Sequence, residues 1–149
     1  MIQLQFFTWA PNASMKGNDA AFEYFSKAAA LGDIDAQFNL AVLYETGKGV
    51  EKNKEKEIYY LEEAAIGGHH RARYNLGCFE NGNGRIERAV KHFIIAANLG
   101  FDEALKLVKE GFALGFVSKE DYASALRGHQ AAVDATKSAE REKAEKDGA

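Results

Sequence analysis

The chain has one cysteine, Cys78, and one proline, Pro11, among 149 residues. A single thiol excludes an intramolecular disulfide framework and fits a reducing compartment, so a cytoplasmic location is expected. A single proline near the N-terminus leaves every helical pattern downstream unbroken. Charge of one sign is also scarce. The formal net charge is −3, with acidic and basic residues mixed along the chain. Without a basic field, neither nucleic acid nor an anionic membrane is an expected partner. No run of about 18 apolar residues occurs, so no membrane-spanning helix is expected. The first ten residues, MIQLQFFTWA, are apolar. They carry no basic flank and are too short for a span or a signal peptide. An Asn-Ala-Ser sequon at Asn12 matters only in a secreted protein.

What is present is a repeated pattern. Residues 28–41 read AAALGDIDAQFNLA, residues 64–77 read AAIGGHHRARYNLG, and residues 96–108 read AANLGFDEALKLV. Ala28, Ala64 and Ala96 correspond, then Ala29, Ala65 and Ala97, then Gly32, Gly68 and Gly100, then Ala36, Ala72 and Ala104. The spacings are 36 and 32 residues, and the difference lies around the loops TGKGVEKN (46–53) and ENGNGRIE (80–87): Leu40 to Ala64 is 24 residues, whereas Leu76 to Ala96 is 20. Self-similarity at such a period marks a stacked-repeat protein.

Within a copy the pattern is helical. Ala21, Tyr24, Phe25, Ala28 and Ala29 make one helical stripe, and Ala36, Leu40, Leu43 and Tyr44 make a second. The glycine between them stops the first helix, because glycine enters a left-handed conformation without steric cost. Each copy is therefore a helix–turn–helix, with alanines at the helix crossing. One hairpin alone leaves apolar surface bare, and stacking hairpins covers it.

Residues 21–50, AFEYFSKAAALGDIDAQFNLAVLYETGKGV, resemble the Sel1-like repeat family, a relative of the tetratricopeptide repeats. Residues 56–84 and 88–115 match less fully. Glu57 stands where the family has alanine, Glu80 replaces its tyrosine, and His92 takes its large aromatic position. In the third copy Leu107 and Lys109 replace the Asn and Gly of the Asn-Leu-Gly triplet. Locally looser packing is expected at these departures. The resemblance implies a non-enzymatic adaptor or scaffold that holds a protein or peptide partner.

The C-terminal part departs from the repeat. Ser118 is placed to cap a helix, with Asp121 three residues on. QAAVDA (130–135) aligns with IAANLG (95–100), but Ala135 stands where the repeats have glycine. Without that stop the helix should run on, closing the last repeat as a cap and ending in a solvated extension. The N-terminal IQLQF alternates as a strand would, or is the remnant of a first helix. Phe6, Phe7 and Trp9 need cover, from the first repeat or from another subunit, the first being expected. The expected fold is thus an all-α, right-handed α-solenoid of helix–turn–helix repeats with a C-terminal capping helix. Residues 1–18 form an N-terminal extension, 19–117 three repeats, and 118–149 the capping helix and charged tail.

Candidates for chemistry are few. His69 and His70 are adjacent and His92 follows in the next copy. An enzymatic or metal-binding protein using these three is the alternative reading. A metal needs three or four converging ligands, however, and polar residues at a helix start explain the first pair. Cys78 follows the Leu-Gly pair on an apolar helix and reads as a buried, inert thiol, with no histidine or cation three or four residues away. No cofactor or metal is expected. Asn39 and Asn75 correspond and read as hydrogen-bonding residues more than as ligand contacts.

A partner surface is suggested by residues that are apolar in one copy and polar in its sisters. Tyr59 aligns with Glu23 and Lys91; Ile94 and Ile95 align with Ser26 and Lys27 and with Glu62 and Glu63; Phe101 aligns with Asp33 and His69. Tyr59, Lys91, Ile94 and Ile95 are therefore the candidate partner-binding residues, on the concave face formed by the first helices. The capping helix is the competing explanation for Ile94 and Ile95. The oligomeric state is open.

Overall fold

The computed structural model describes residues 17–148. Among them the chain forms seven α-helices and no strand. These are α1 (Gly17–Ala30), α2 (Ile34–Thr46), α3 (Lys54–Ile66), α4 (His70–Gly82), α5 (Ile86–Asn98), α6 (Asp102–Ala113) and α7 (Lys119–Asp147). The all-α expectation holds. The readings of IQLQF, Phe6, Phe7, Trp9 and Asn12 lie outside the described residues.

The alanine pair and the glycine recur together for a reason visible in the backbone. Gly32, Gly68 and Gly100 adopt φ of 89°, 95° and 96° just after α1, α3 and α5. In each case the glycine N–H donates to the carbonyl of the second alanine. These bonds are Gly32 to Ala29 (2.9 Å), Gly68 to Ala65 (3.0 Å) and Gly100 to Ala97 (2.9 Å). The next N–H donates to the first alanine: Asp33 to Ala28 (3.2 Å), His69 to Ala64 (3.0 Å) and Phe101 to Ala96 (3.1 Å). This doubled bond satisfies carbonyls that a helix end otherwise leaves open. The same closure ends α4 at Gly84 and α6 at Gly115.

The residue that completes the closure also opens the next helix. Asp33 Oδ1 accepts from the Ala36 N–H at 3.0 Å. His69 Nδ1 accepts from the Ala72 N–H at 3.1 Å. Phe101, at the same position, makes no side-chain cap. Its ring instead stands edge-on to Tyr74 at 5.2 Å. The helical turn thus tolerates an apolar residue where a packing partner exists.

The chain divides into two compact units, one ending at Ala72 and the other beginning at Arg73. In the first, α2 packs on both α1 and α3. Leu40 lies among Ala28, Ala29 and Ala36, with Phe22, Phe25 and Tyr60 at the margin. The alanines let helix backbones approach closely. Gly67 does the same at the end of α3, where a Cβ would collide with Ile34. Glu57 corrects the expectation of loose packing: it is only 7% exposed and pairs with Lys54 at 3.2 Å.

In the second unit α5 packs on α6, and α7 packs on both. Phe93, Ala96, Ala97, Ala104, Val108, Val117 and Ala125 form its core. Gly77 of α4 faces the Phe93 ring, and a Cβ there would stand 2.5 Å from it. Gly128 of α7 is likewise tight against the Asn98 side chain. Ser118 caps α7 by accepting from the Asp121 N–H at 3.0 Å. The helix then continues through Ala135 to Asp147, as the missing glycine predicts. Tyr122, Ala125, His129, Ala132 and Val133 form its covered side, and every described residue beyond Val133 is exposed. Leu126 is exposed, because one residue past Ala125 turns it about 100° away from the core.

Candidate functional site

The first unit carries an open groove of ≈ 400 Å³. Ser26 and Ala30 of α1, Gln37 of α2, and Tyr59, Tyr60 and Glu63 of α3 line it. Tyr59 and Glu63 are one helical turn apart and share a face of α3. Tyr59 is 55% exposed. Its ring stands edge-on to Tyr60 at 5.0 Å, and Tyr60 stacks on Tyr44 at 5.9 Å. The exposed phenol therefore rests on a fixed aromatic base. Burial, followed by the neighbouring phenols of Tyr44 and Tyr59, pushes the Tyr60 hydroxyl's pKa up. It stays protonated at neutral pH. The Gln37 Oε1 is buried without a hydrogen-bond partner, and Glu63 is exposed. No basic side chain lines the groove.

The other three candidate partner residues are on α5, in the second unit. Lys91 is exposed. Ile95 is 41% exposed. Ile94 is half-buried against the core of its unit and offers little free surface. Of the four, Tyr59 lines the groove of the first unit. Ser26 and Gln37 were not legible as site residues, since nothing in the sequence separates a groove-lining glutamine from an ordinary surface one.

Among the described residues no three His, Cys, Asp or Glu side chains are placed to hold an ion. His69 is built into the fold. It stacks on Phe38 at 4.4 Å and caps α4 through Nδ1. An accepting Nδ1 puts the proton on Nε2, which lies 3.3 Å from Asp35 Oδ1. His92 sits beside the Arg73 guanidinium at 3.4 Å. The Cys78 expectation is corrected: the thiol is exposed. Leu76 and Gly77 face inward, and the next residue along the helix points out. Glu80, at the family's tyrosine position, pairs with Arg85, and this hydrogen bond holds its carboxyl below the usual range.

Burial holds the His69 pKa below its ordinary 6.5, Asp35 pulls it partly back, and His70 and Arg71 depress it again. Burial and then Arg73 depress His92 in the same sense. Below pH 6.5 the unfolded chain binds protons that the folded chain resists, so folding stability is full above that value and falls as pH drops through it. Protonated His69 also loses its cap, since Nδ1 can no longer accept. Urea unfolding at pH 7.5, 6.5 and 5.5 should show this decline. His69→Asn, which keeps a cap acceptor without titrating, should flatten the slope and leave the His92 part. An unchanged slope in that variant would remove His69 from the account.

The family model of the Sel1 repeat matches residues 16–33, 34–69 and 70–101. Its frame starts at the second helix of each hairpin, so 34–69 holds α2 with α3 and 70–101 holds α4 with α5; α6 and α7 lie beyond it. Protein SHC1 of Saccharomyces cerevisiae is 30% identical over 140 residues, which covers 82% of this chain and 27% of that protein. The chain thus spans about a quarter of this curated relative's length. A Sel1 repeat protein from Oxalobacter formigenes superimposes with a TM-score of 0.63 at 29% identity, covering 77% of this chain and 49% of that one. A protective antigen of uropathogenic Escherichia coli strains, which displays an SLR fold, gives a TM-score of 0.62 at 30% identity over 78% of this chain and 27% of the antigen. Matched over more than half its length, with the glycine closures and alanine crossings in register, the chain belongs to the Sel1 repeat family.

Proposed function

We propose that this chain is a non-enzymatic adaptor that docks a segment of another protein on the face of its first helices, with residues 19–117 as the scaffold and 118–149 as its cap. Sel1 repeat proteins are generally non-catalytic scaffolds for protein interaction. The observation that carries the reading here is the α1–α3 groove, with the exposed Tyr59 ring held over Tyr60. A rigid aromatic anchor beside polar groups is the usual composition of a binding hot spot. Lys91 and Ile95, exposed on α5 of the second unit, are proposed as partner-binding residues of that unit. No helix among the described residues is long and apolar enough to cross a membrane.

Random heptapeptides displayed on phage and selected on the whole chain test the reading. Selected peptides should bind Tyr59→Ala about tenfold or more weakly, the loss typical of an interface anchor. Tyr59 is exposed, so the variant should keep its helical circular dichroism. Peptides that bind the variant as well as the parent, or a selection that yields none, would end the groove reading.

A further inference from the structure

We infer that the α1–α3 groove recognises the guanidinium of an arginine side chain on the docked segment. The inference rests on the docking reading above and gives it a partner chemistry.

The groove's lining holds one carboxylate, Glu63, and no basic side chain. The Gln37 Oε1 lines the groove and is buried without a donor. A buried carbonyl left unpaired is costly, and a donor arriving from outside relieves that cost. The Glu63 carboxylate is exposed at the rim, and Glu62 beside it is exposed too. The cation next to Ser26 in the chain, Lys27, is already paired with Glu23 at 2.8 Å. The one charged side chain in the groove's lining is therefore negative. An anionic side chain would meet a carboxylate and an unpaired carbonyl, and an apolar one would leave both unsatisfied.

The aromatic residues narrow the choice of cation. The Tyr59 ring is exposed and braced by Tyr60. It shares one face of α3 with Glu63, a turn away. A planar cation stacked on Tyr59 can direct N–H groups to Glu63, one turn away on the same face. Guanidinium has five donors in a flat fork, is weakly hydrated and stacks on aromatic faces, whereas an ammonium is a strongly hydrated point. A space of ≈ 400 Å³ admits one such side chain with the backbone that carries it.

The test uses a pentapeptide amide, Gly-Ala-Arg-Ala-Gly, carrying fluorescein on its N-terminus, and versions with citrulline, lysine or glutamate at the centre. Citrulline keeps the shape of arginine and loses its charge. Anisotropy titration of the whole chain at low salt should give saturable binding of the arginine peptide, with citrulline weaker by about tenfold. Glu63→Gln should bring the arginine and citrulline peptides close together, and Tyr59→Ala should weaken both. Equal binding of arginine and citrulline, or of arginine and lysine, would overturn the guanidinium assignment. So would phage selection of peptides without arginine that still require Tyr59; that outcome leaves the docking reading standing. If no peptide of either kind depends on Tyr59, both readings fall.

Discussion

Phe93→Ala should lower the unfolding free energy by about 3–5 kcal/mol, the range for a core phenylalanine emptied to alanine. Phe93 is 7% exposed and lies at the centre of the second unit's core. Its ring packs against Tyr74 at 5.6 Å and faces Gly77, where no Cβ fits. The neighbours that would have to close the cavity are mostly alanines, whose side chains are too short to fill it, so relaxation is limited. The same geometry predicts the effect of filling the other side. Gly77→Ala alone should cost about 1–3 kcal/mol by overpacking. Combined with Phe93→Leu, it should cost less than the sum of the single changes, because the smaller side chain frees the space that the new methyl needs. Urea unfolding of the four proteins measures both statements. Additive single effects would mean that Gly77 and Phe93 do not share one contact.

Leu40→Ala should cost about 2–5 kcal/mol in the first unit. Leu40 is 1% exposed and is one of the few large side chains fully enclosed in the described chain. Ala28, Ala29 and Ala36 around it are held in place by helix backbones and by the closure at Gly32. Tyr59→Ala is the natural comparison. More than half of that side chain is exposed, and surface changes usually stay within about 0.5 kcal/mol. A small effect at Leu40 paired with a large one at Tyr59 would contradict the burial pattern. The expected order separates stability from binding: Leu40 holds the fold, and Tyr59 is free to meet a partner.

The helices, their ends and their family were written in the one-dimensional pattern. The alanine pair supplies two carbonyls, the glycine supplies the left-handed turn, and the next residue closes the motif, all within six consecutive positions. The capping serine and the absence of a glycine at Ala135 are equally local, which is why the start and the length of α7 were readable. Local backbone chemistry depends on neighbours in sequence, and those are visible without a structure.

What only the tertiary structure decided depends on neighbours in space. Cys78 and Leu126 each sit one residue beyond an inward-facing position, so they turn outward although both are apolar. Glu57 reads as a flaw in the repeat, yet it is buried with Lys54 for a partner. Gly77 matters because a ring from α5 lies over it. Gln37 belongs to the candidate site because α1 and α3 leave a groove above an unpaired carbonyl. In each case the deciding partner comes from another turn or another helix, and a side chain's role there is set by who meets it, not by what it is.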